Sequence, residues 1–161
     1  MIKSGGFFSI KGANCVIGAI VSINKKHYIA TASHIFEGDK IGTVVQVGGF
    51  QSIVKKFLPE FDIVLIELPS GDKAEVTELG RAAVMEDAQL INERHSTRCR
   101  VIRAGAALHS LLFPCFDMPQ PGDSGSPILQ NGKVIGLLSS VTLGNCTGTA
   151  VSSDVLRDLN C

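Results

Sequence analysis

The apolar residues of this chain come in short runs, and the breaks between runs are filled by Gly, Asn, Asp and Pro. Runs of this kind are too short for a stable helix but match the length of a typical strand, about five residues. Strands are predicted at Gly6–Ile10, Cys15–Ile23, Tyr28–Ala32, Thr43–Val47, Ser52–Phe57 and Ile63–Leu68. A second set is predicted at Arg100–Gly105, Ser110–Phe116, Pro127–Leu129, Lys133–Ser140 and Thr149–Val151. β-branched residues are enriched in many of these runs, and Asn24-Lys25-Lys26, Gly38-Asp39 and Asn131-Gly132 read as tight turns. Many short strands separated in this way imply a barrel or a sandwich.

Between the two sets, Pro69 to Thr97 is richer in charge. Its stretch Arg81-Ala82-Ala83-Val84-Met85-Glu86-Asp87-Ala88 has fair helix propensity and equally suits an irregular connector. The expected organisation is an N-terminal β half over residues 1–75, a linker over 76–97 and a C-terminal β half over 98–161, together one unit. Near the end, Ser153 can cap a short helix with Val155, Leu156 and Leu159 on one face.

With 161 residues, the chain can bury a core without staples, and 45% hydrophobic against 19% charged residues excludes intrinsic disorder. Lys plus Arg and Asp plus Glu are 15 each, which removes any general attraction to nucleic acid or anionic lipid. No apolar run approaches the roughly 20 residues of a membrane helix, and no signal-peptide pattern follows Met1. A cytoplasmic chain, or a part of a viral polyprotein, is the expectation. Cys15, Cys99, Cys115, Cys146 and Cys161 are widely spaced with no CxxC. They are expected as reduced, mostly buried thiols, with a zinc site built from Cys and His95 or His109 as the alternative.

The sharpest motif is Pro121-Gly122-Asp123-Ser124-Gly125-Ser126-Pro127. Its glycines permit a sharp turn that aims successive N–H groups at one point, a geometry able to hold a developing oxyanion. Taken alone it also suits an ordinary turn. A serine hydroxyl becomes a useful nucleophile only beside a base. His34, in Thr31-Ala32-Ser33-His34-Ile35-Phe36, follows an apolar strand among small residues, whereas His27, His95 and His109 have no comparable surroundings. Asp62 heads the apolar strand Ile63-Val64-Leu65-Ile66, where a partly buried carboxylate needs a donor such as an imidazole N–H.

Together these segments resemble the chymotrypsin-fold, trypsin-like serine peptidases, of the compact viral, bacterial or HtrA-like type. The family's order of Thr-Ala-x-His, Asp-Ile-x-Leu and Gly-Asp-Ser-Gly-x-Pro is met by Thr31-Ala32-Ser33-His34, Asp62-Ile63-Val64-Leu65 and Gly122-Asp123-Ser124-Gly125-Ser126-Pro127. The resemblance implies two six-stranded antiparallel β-barrels with a short C-terminal helix and a site in the crevice between them. It implies a catalytic set of His34, Asp62 and Ser124, and an oxyanion hole from the backbone of Gly122, Asp123 and Ser124. It also implies substrate contacts at Met118, Ser139, Ser140 and Val141. With no acid at that wall, an uncharged, medium-sized side chain before the cleaved bond is expected. The substrate would be a polypeptide, with no metal or organic cofactor, and a monomer is compatible with such an enzyme. A catalytically silent peptide-binding module and a peptidase acting mainly on its own precursor are the alternatives. Asp123, which in secreted members pairs with a freshly cut N-terminus, is left without an evident partner.

Overall fold

The computed structural model describes residues 1–69 and 73–159, so Cys161 lies outside the described residues. The first half holds β1 (Phe7–Ile10), β2 (Ala13–Val16), β3 (Ala19–Ile23), β4 (Lys26–Ala32), β5 (Val44–Val47), β6 (Phe50–Leu58) and β7 (Ile63–Glu67). The second holds β8 (Asp87–Ile91), β9 (Ser96–Ala104), β10 (Leu108–Leu112), β11 (Pro127–Gln130), β12 (Lys133–Thr142) and β13 (Thr147–Ser152), followed by the helix α1 (Ser153–Leu159). The second set closes into a six-stranded barrel in the order β10-β13-β12-β11-β8-β9. The first is a seven-stranded half-barrel sheet in the order β2-β1-β5-β6-β7-β4-β3.

The seventh strand has a simple origin. The run predicted as one strand, Cys15–Ile23, breaks at Ile17-Gly18 into β2 and β3, which are the two edges of the sheet. Two linking residues span little distance at about 3.8 Å per Cα step, so the sheet curls until its edges nearly meet. The second departure is β8, which falls inside the stretch expected as a linker and pairs with both β9 and β11. Its inward residues are only Ala88 and Leu90, alternating with exposed Asp87 and Gln89. No β-branched run announces it.

Period-two alternation explains why β7 reads as an unbroken apolar run. Val64 and Ile66 point into the core of the first half, with Phe8, Ile20, Ile29 and Val54. Ile63 and Leu65 point the other way, into a cluster with Val134, Leu137 and Val151 of the second barrel and Val155 and Leu156 of α1. A strand covered on both faces has no polar face to alternate with. The seam between the halves is therefore a third apolar cluster beside the cores of the two halves, and the expected C-terminal helix α1 packs Val155 and Leu156 against it.

Leu112 of β10 lies opposite Thr147 of β13, so the chain just beyond each strand is brought together, and Cys115 and Cys146 form a disulfide with Cα atoms 5.2 Å apart. This corrects the expectation of reduced thiols for these two, while Cys15 and Cys99 are free and buried. Burial pushes the Cys99 thiol up to about 12, which suits a packing role. The disulfide closes a loop with a sequence separation of 31. Loop-closure entropy for such a span predicts that removing it, as Cys115→Ser with Cys146→Ser, lowers unfolding free energy by about 4 kcal/mol. Urea denaturation of the double variant checks this, and an unchanged midpoint contradicts it. Among the described residues, no helix is long and apolar enough to cross a membrane.

Candidate active site

Strand register brings the first two side chains together. β4 and β7 run antiparallel with Ala32 opposite Ile63, so Ser33-His34 and Asp62 leave the sheet side by side. The Ser33 N–H donates to the Asp62 carbonyl at 2.9 Å. A single 3-10 turn over Ser33–Phe36 carries His34 and is anchored by buried Phe36, stacked on Phe8 at 5.9 Å. A second such turn, Pro59–Phe61, delivers Asp62 in the left-handed region at φ 53°, a conformation that Asp adopts more readily than most residues.

The third side chain crosses the seam. Gly125 N–H donates to the Leu138 carbonyl at 2.8 Å, and Leu138 N–H donates to the Ser126 carbonyl at 2.9 Å, which stitches the Ser124 loop to β12. Gly125 has φ 84°, and a Cβ there would collide with the Thr31 hydroxyl of β4. Glycine is thus what lets this loop lie against the first half. Ser124 Oγ comes to rest 2.9 Å from His34 Nε2, and His34 Nδ1 lies 2.8 Å from Asp62 Oδ2. The three residues expected from their motifs converge at the seam.

Both oxygens of Asp62 are saturated. Oδ1 accepts from the Ser33 hydroxyl at 3.0 Å and from the His34 N–H at 2.9 Å. Oδ2 faces His34 Nδ1 and accepts from the Ser139 hydroxyl at 2.7 Å. Burial pushes the Asp62 carboxyl up, but the bonds from Ser139, His34 and Ser33 outweigh it and hold the group below the usual carboxylate range. An ionised carboxylate only accepts, so the network assigns the proton of a neutral His34 ring to Nδ1. Nε2 is then free to accept the Ser124 proton. The Ser139 contact was not foreseen: its motif placed it on the cleft wall, yet its hydroxyl also reaches across the seam to the acid.

The Ser124 loop shows one correction and one missed pair. Asp123 N–H donates to the Gln120 carbonyl at 2.9 Å, which removes it from the expected oxyanion donors. Among the described residues, the Gly122 and Ser124 N–H groups have no acceptor within the chain. The Asp123 side chain is 1% exposed and is met by His95 Nδ1 at 2.6 Å and by Asn92 Nδ2 at 3.1 Å. The sequence marked His95 as lacking suitable surroundings. Its signal was indirect: a buried acid needs donors, and Asn92-Glu93-Arg94-His95 is a polar turn that the pairing of β8 with β11 brings beside it.

Beside Ser124 lies a cavity of about 240 Å³ lined by Pro119, Gln120, Pro121, Leu138, Ser139, Ser140, Val141 and Leu143. Ser139, Ser140 and Val141 stand where expected. Met118 does not line it; it is partly buried against the second barrel core, and the three residues after it take its place on the wall. Larger cavities, of about 480 and 490 Å³, contain none of His34, Asp62 and Ser124.

Solved structures with the same architecture cover nearly the whole chain. The Nocardiopsis protease matches with a TM-score of 0.75 at 17% identity, over 98% of this chain and 94% of its own. The Cellulomonas bogoriensis chymotrypsin matches with a TM-score of 0.70 at 18% identity, over 98% of this chain and 93% of its own. The chain has the chymotrypsin fold. A human pathogenic astrovirus serine protease is also similar, with a TM-score of 0.63 at 21% identity over 94% of this chain and 91% of its own. No family model and no curated protein matches the sequence.

Proposed function

We propose that this chymotrypsin-fold chain is a serine endopeptidase acting through an acyl-enzyme on Ser124. The observation that carries the reading is the continuous Asp62–His34–Ser124 chain of hydrogen bonds, at 2.8 and 2.9 Å, assembled from both halves. Ser124 Oγ attacks the peptide carbonyl while His34 Nε2 takes its proton. The same nitrogen then hands that proton to the departing amine, and water repeats the sequence in reverse to release the acid. Asp62 fixes the tautomer of His34 and stabilises the imidazolium formed in the transition state. The Gly122 and Ser124 N–H groups, uncommitted among the described residues, hold the developing oxyanion; one such donor is typically worth about 3 kcal/mol.

The cavity beside Ser124 takes the side chain preceding the cleaved bond. Its lining carries no charged residue, and Leu138, Val141 and Leu143 make much of its wall apolar. A cationic or anionic side chain would be desolvated there with no counter-charge. Incubation with a peptide library, read by mass spectrometry, is expected to show cleavage after uncharged, medium-sized residues. A dominant preference for Arg, Lys, Asp or Glu contradicts the assignment of this cavity, and absence of any cleavage contradicts the peptidase reading.

A further inference from the structure

His95 sits in the turn between β8 and β9 and meets the Ser124 loop at Asp123. Asn92 shapes that turn: its Oδ1 accepts the N–H groups of Arg94 and His95, both at 2.8 Å. The Asn92 Nδ2 donates to Asp123 Oδ1 at 3.1 Å and to the Ser126 hydroxyl at 2.9 Å. The two ring nitrogens of His95 face two different acids, Nδ1 at 2.6 Å from Asp123 Oδ2 and Nε2 at 2.9 Å from Asp117 Oδ1. Ionised carboxylates can only accept, so both nitrogens must donate, and a ring with two N–H groups is an imidazolium. Asp123 Oδ2 also accepts the Gln120 N–H at 2.8 Å. The carboxylate thereby ties the start of the loop to the cation, with Gly122 and Ser124 on either side of it.

We propose that His95, as a cation held between Asp117 and Asp123, is the positioning residue that sets the loop presenting Ser124 and the Gly122 N–H. It supplies from within the chain the positive charge that the buried Asp123 requires. The inference rests on the peptidase reading above and adds the element that makes its oxyanion site dependent on pH. The charged groups around the ring are Asp123 from the Ser124 loop, Asp117 from the segment after β10, and Arg94 from its own turn. Arg94 is half-exposed and lies 4.0 Å from Asp123 Oδ1, so it is a weaker partner than the ring. It also crowds the loop: a Cβ at Gly122, whose φ is 96°, would come within 2.5 Å of the Arg94 Nη2.

Burial draws the His95 imidazolium down, but its bonds to Asp123 and Asp117, and their charges, outweigh burial and raise its pKa. The contribution of the cation is then complete below the ordinary histidine value of about 6.5 and is lost as pH rises through the higher value of the folded state. The decisive experiment follows kcat and KM from pH 5 to 10 on a peptide the wild type cleaves, for wild type, His95→Gln and His95→Arg. His95→Gln is expected to lower kcat about a hundred-fold, comparable to losing an oxyanion donor, with KM nearly unchanged. His95→Arg, a cation at every pH, is expected to recover part of kcat and to abolish the alkaline loss of activity. An unchanged alkaline limb in both variants, or full kcat in His95→Gln, overturns the proposal. In parallel, nitrogen-15 NMR of wild type should show both His95 ring nitrogens protonated near neutral pH. Amide hydrogen exchange over 119–126 should quicken, beyond its intrinsic pH dependence, as that ring titrates. If the wild type cleaves no peptide at any pH, the peptidase reading fails while NMR and exchange still decide whether the latch exists.

Discussion

Replacing Ser124 by alanine is expected to lower kcat about a hundred-thousand-fold to a million-fold, with the melting temperature within about 3 °C of wild type. The expectation follows from what Ser124 touches. Its hydroxyl faces His34 Nε2 across the seam, while the backbone around it is held by the Gly125–Leu138 and Leu138–Ser126 hydrogen bonds, which do not involve the side chain. Deleting the oxygen removes the nucleophile and leaves the loop stitched to β12. His34→Ala should cost nearly as much, and the double variant scarcely more, because the two groups act as one device. Steady-state kinetics with a peptide substrate and a thermal melt on each variant check this. Appreciable residual turnover in Ser124→Ala removes Ser124 from the mechanism.

The second large effect belongs to Asp62. Asp62→Asn keeps the shape but replaces one acceptor oxygen by a donor nitrogen. An amide NH₂ turned toward His34 drives the ring proton from Nδ1 to Nε2, where it can no longer accept from Ser124; a loss of about ten-thousand-fold in kcat is expected. Turned the other way, the amide opposes the donors from Ser33 and the His34 backbone. Stability should respond with a definite sign. The Asp62 carboxyl is held below its ordinary value, so its contribution is present above the unfolded-state value of about 3.9 and is lost as pH falls through the folded-state value. Asp62→Asn should therefore melt below wild type near neutral pH, and the gap should narrow in acid. A gap independent of pH would show that Asp62 is not stabilised as a carboxylate.

Much of this site was legible because three short motifs each sit at the mouth of a strongly patterned strand. β4 and β7 are so apolar that their ends are easily located, and antiparallel pairing brings His34 and Asp62 together at those ends. What escaped was whatever depends on register rather than on pattern. Cys115 and Cys146 meet because Leu112 pairs with Thr147, a fact no cysteine spacing conveys. The break of β2 from β3 at Ile17-Gly18 is set by the curl of the sheet. β8 shows only two inward apolar residues, Ala88 and Leu90, amid a charged stretch. His95 and Asn92 lie on the turn that β8 creates, so missing the strand concealed the partners of Asp123.

The most direct measurement of the central claim is labelling with a fluorophosphonate probe, which reacts rapidly only with an activated serine hydroxyl. Peptide mapping by mass spectrometry should place a single adduct on Ser124, formed quickly in wild type and slowed by orders of magnitude in His34→Ala and Asp62→Asn. Labelling at another residue, or at Ser124 with the same rate in all three proteins, would contradict a serine activated by His34 and Asp62.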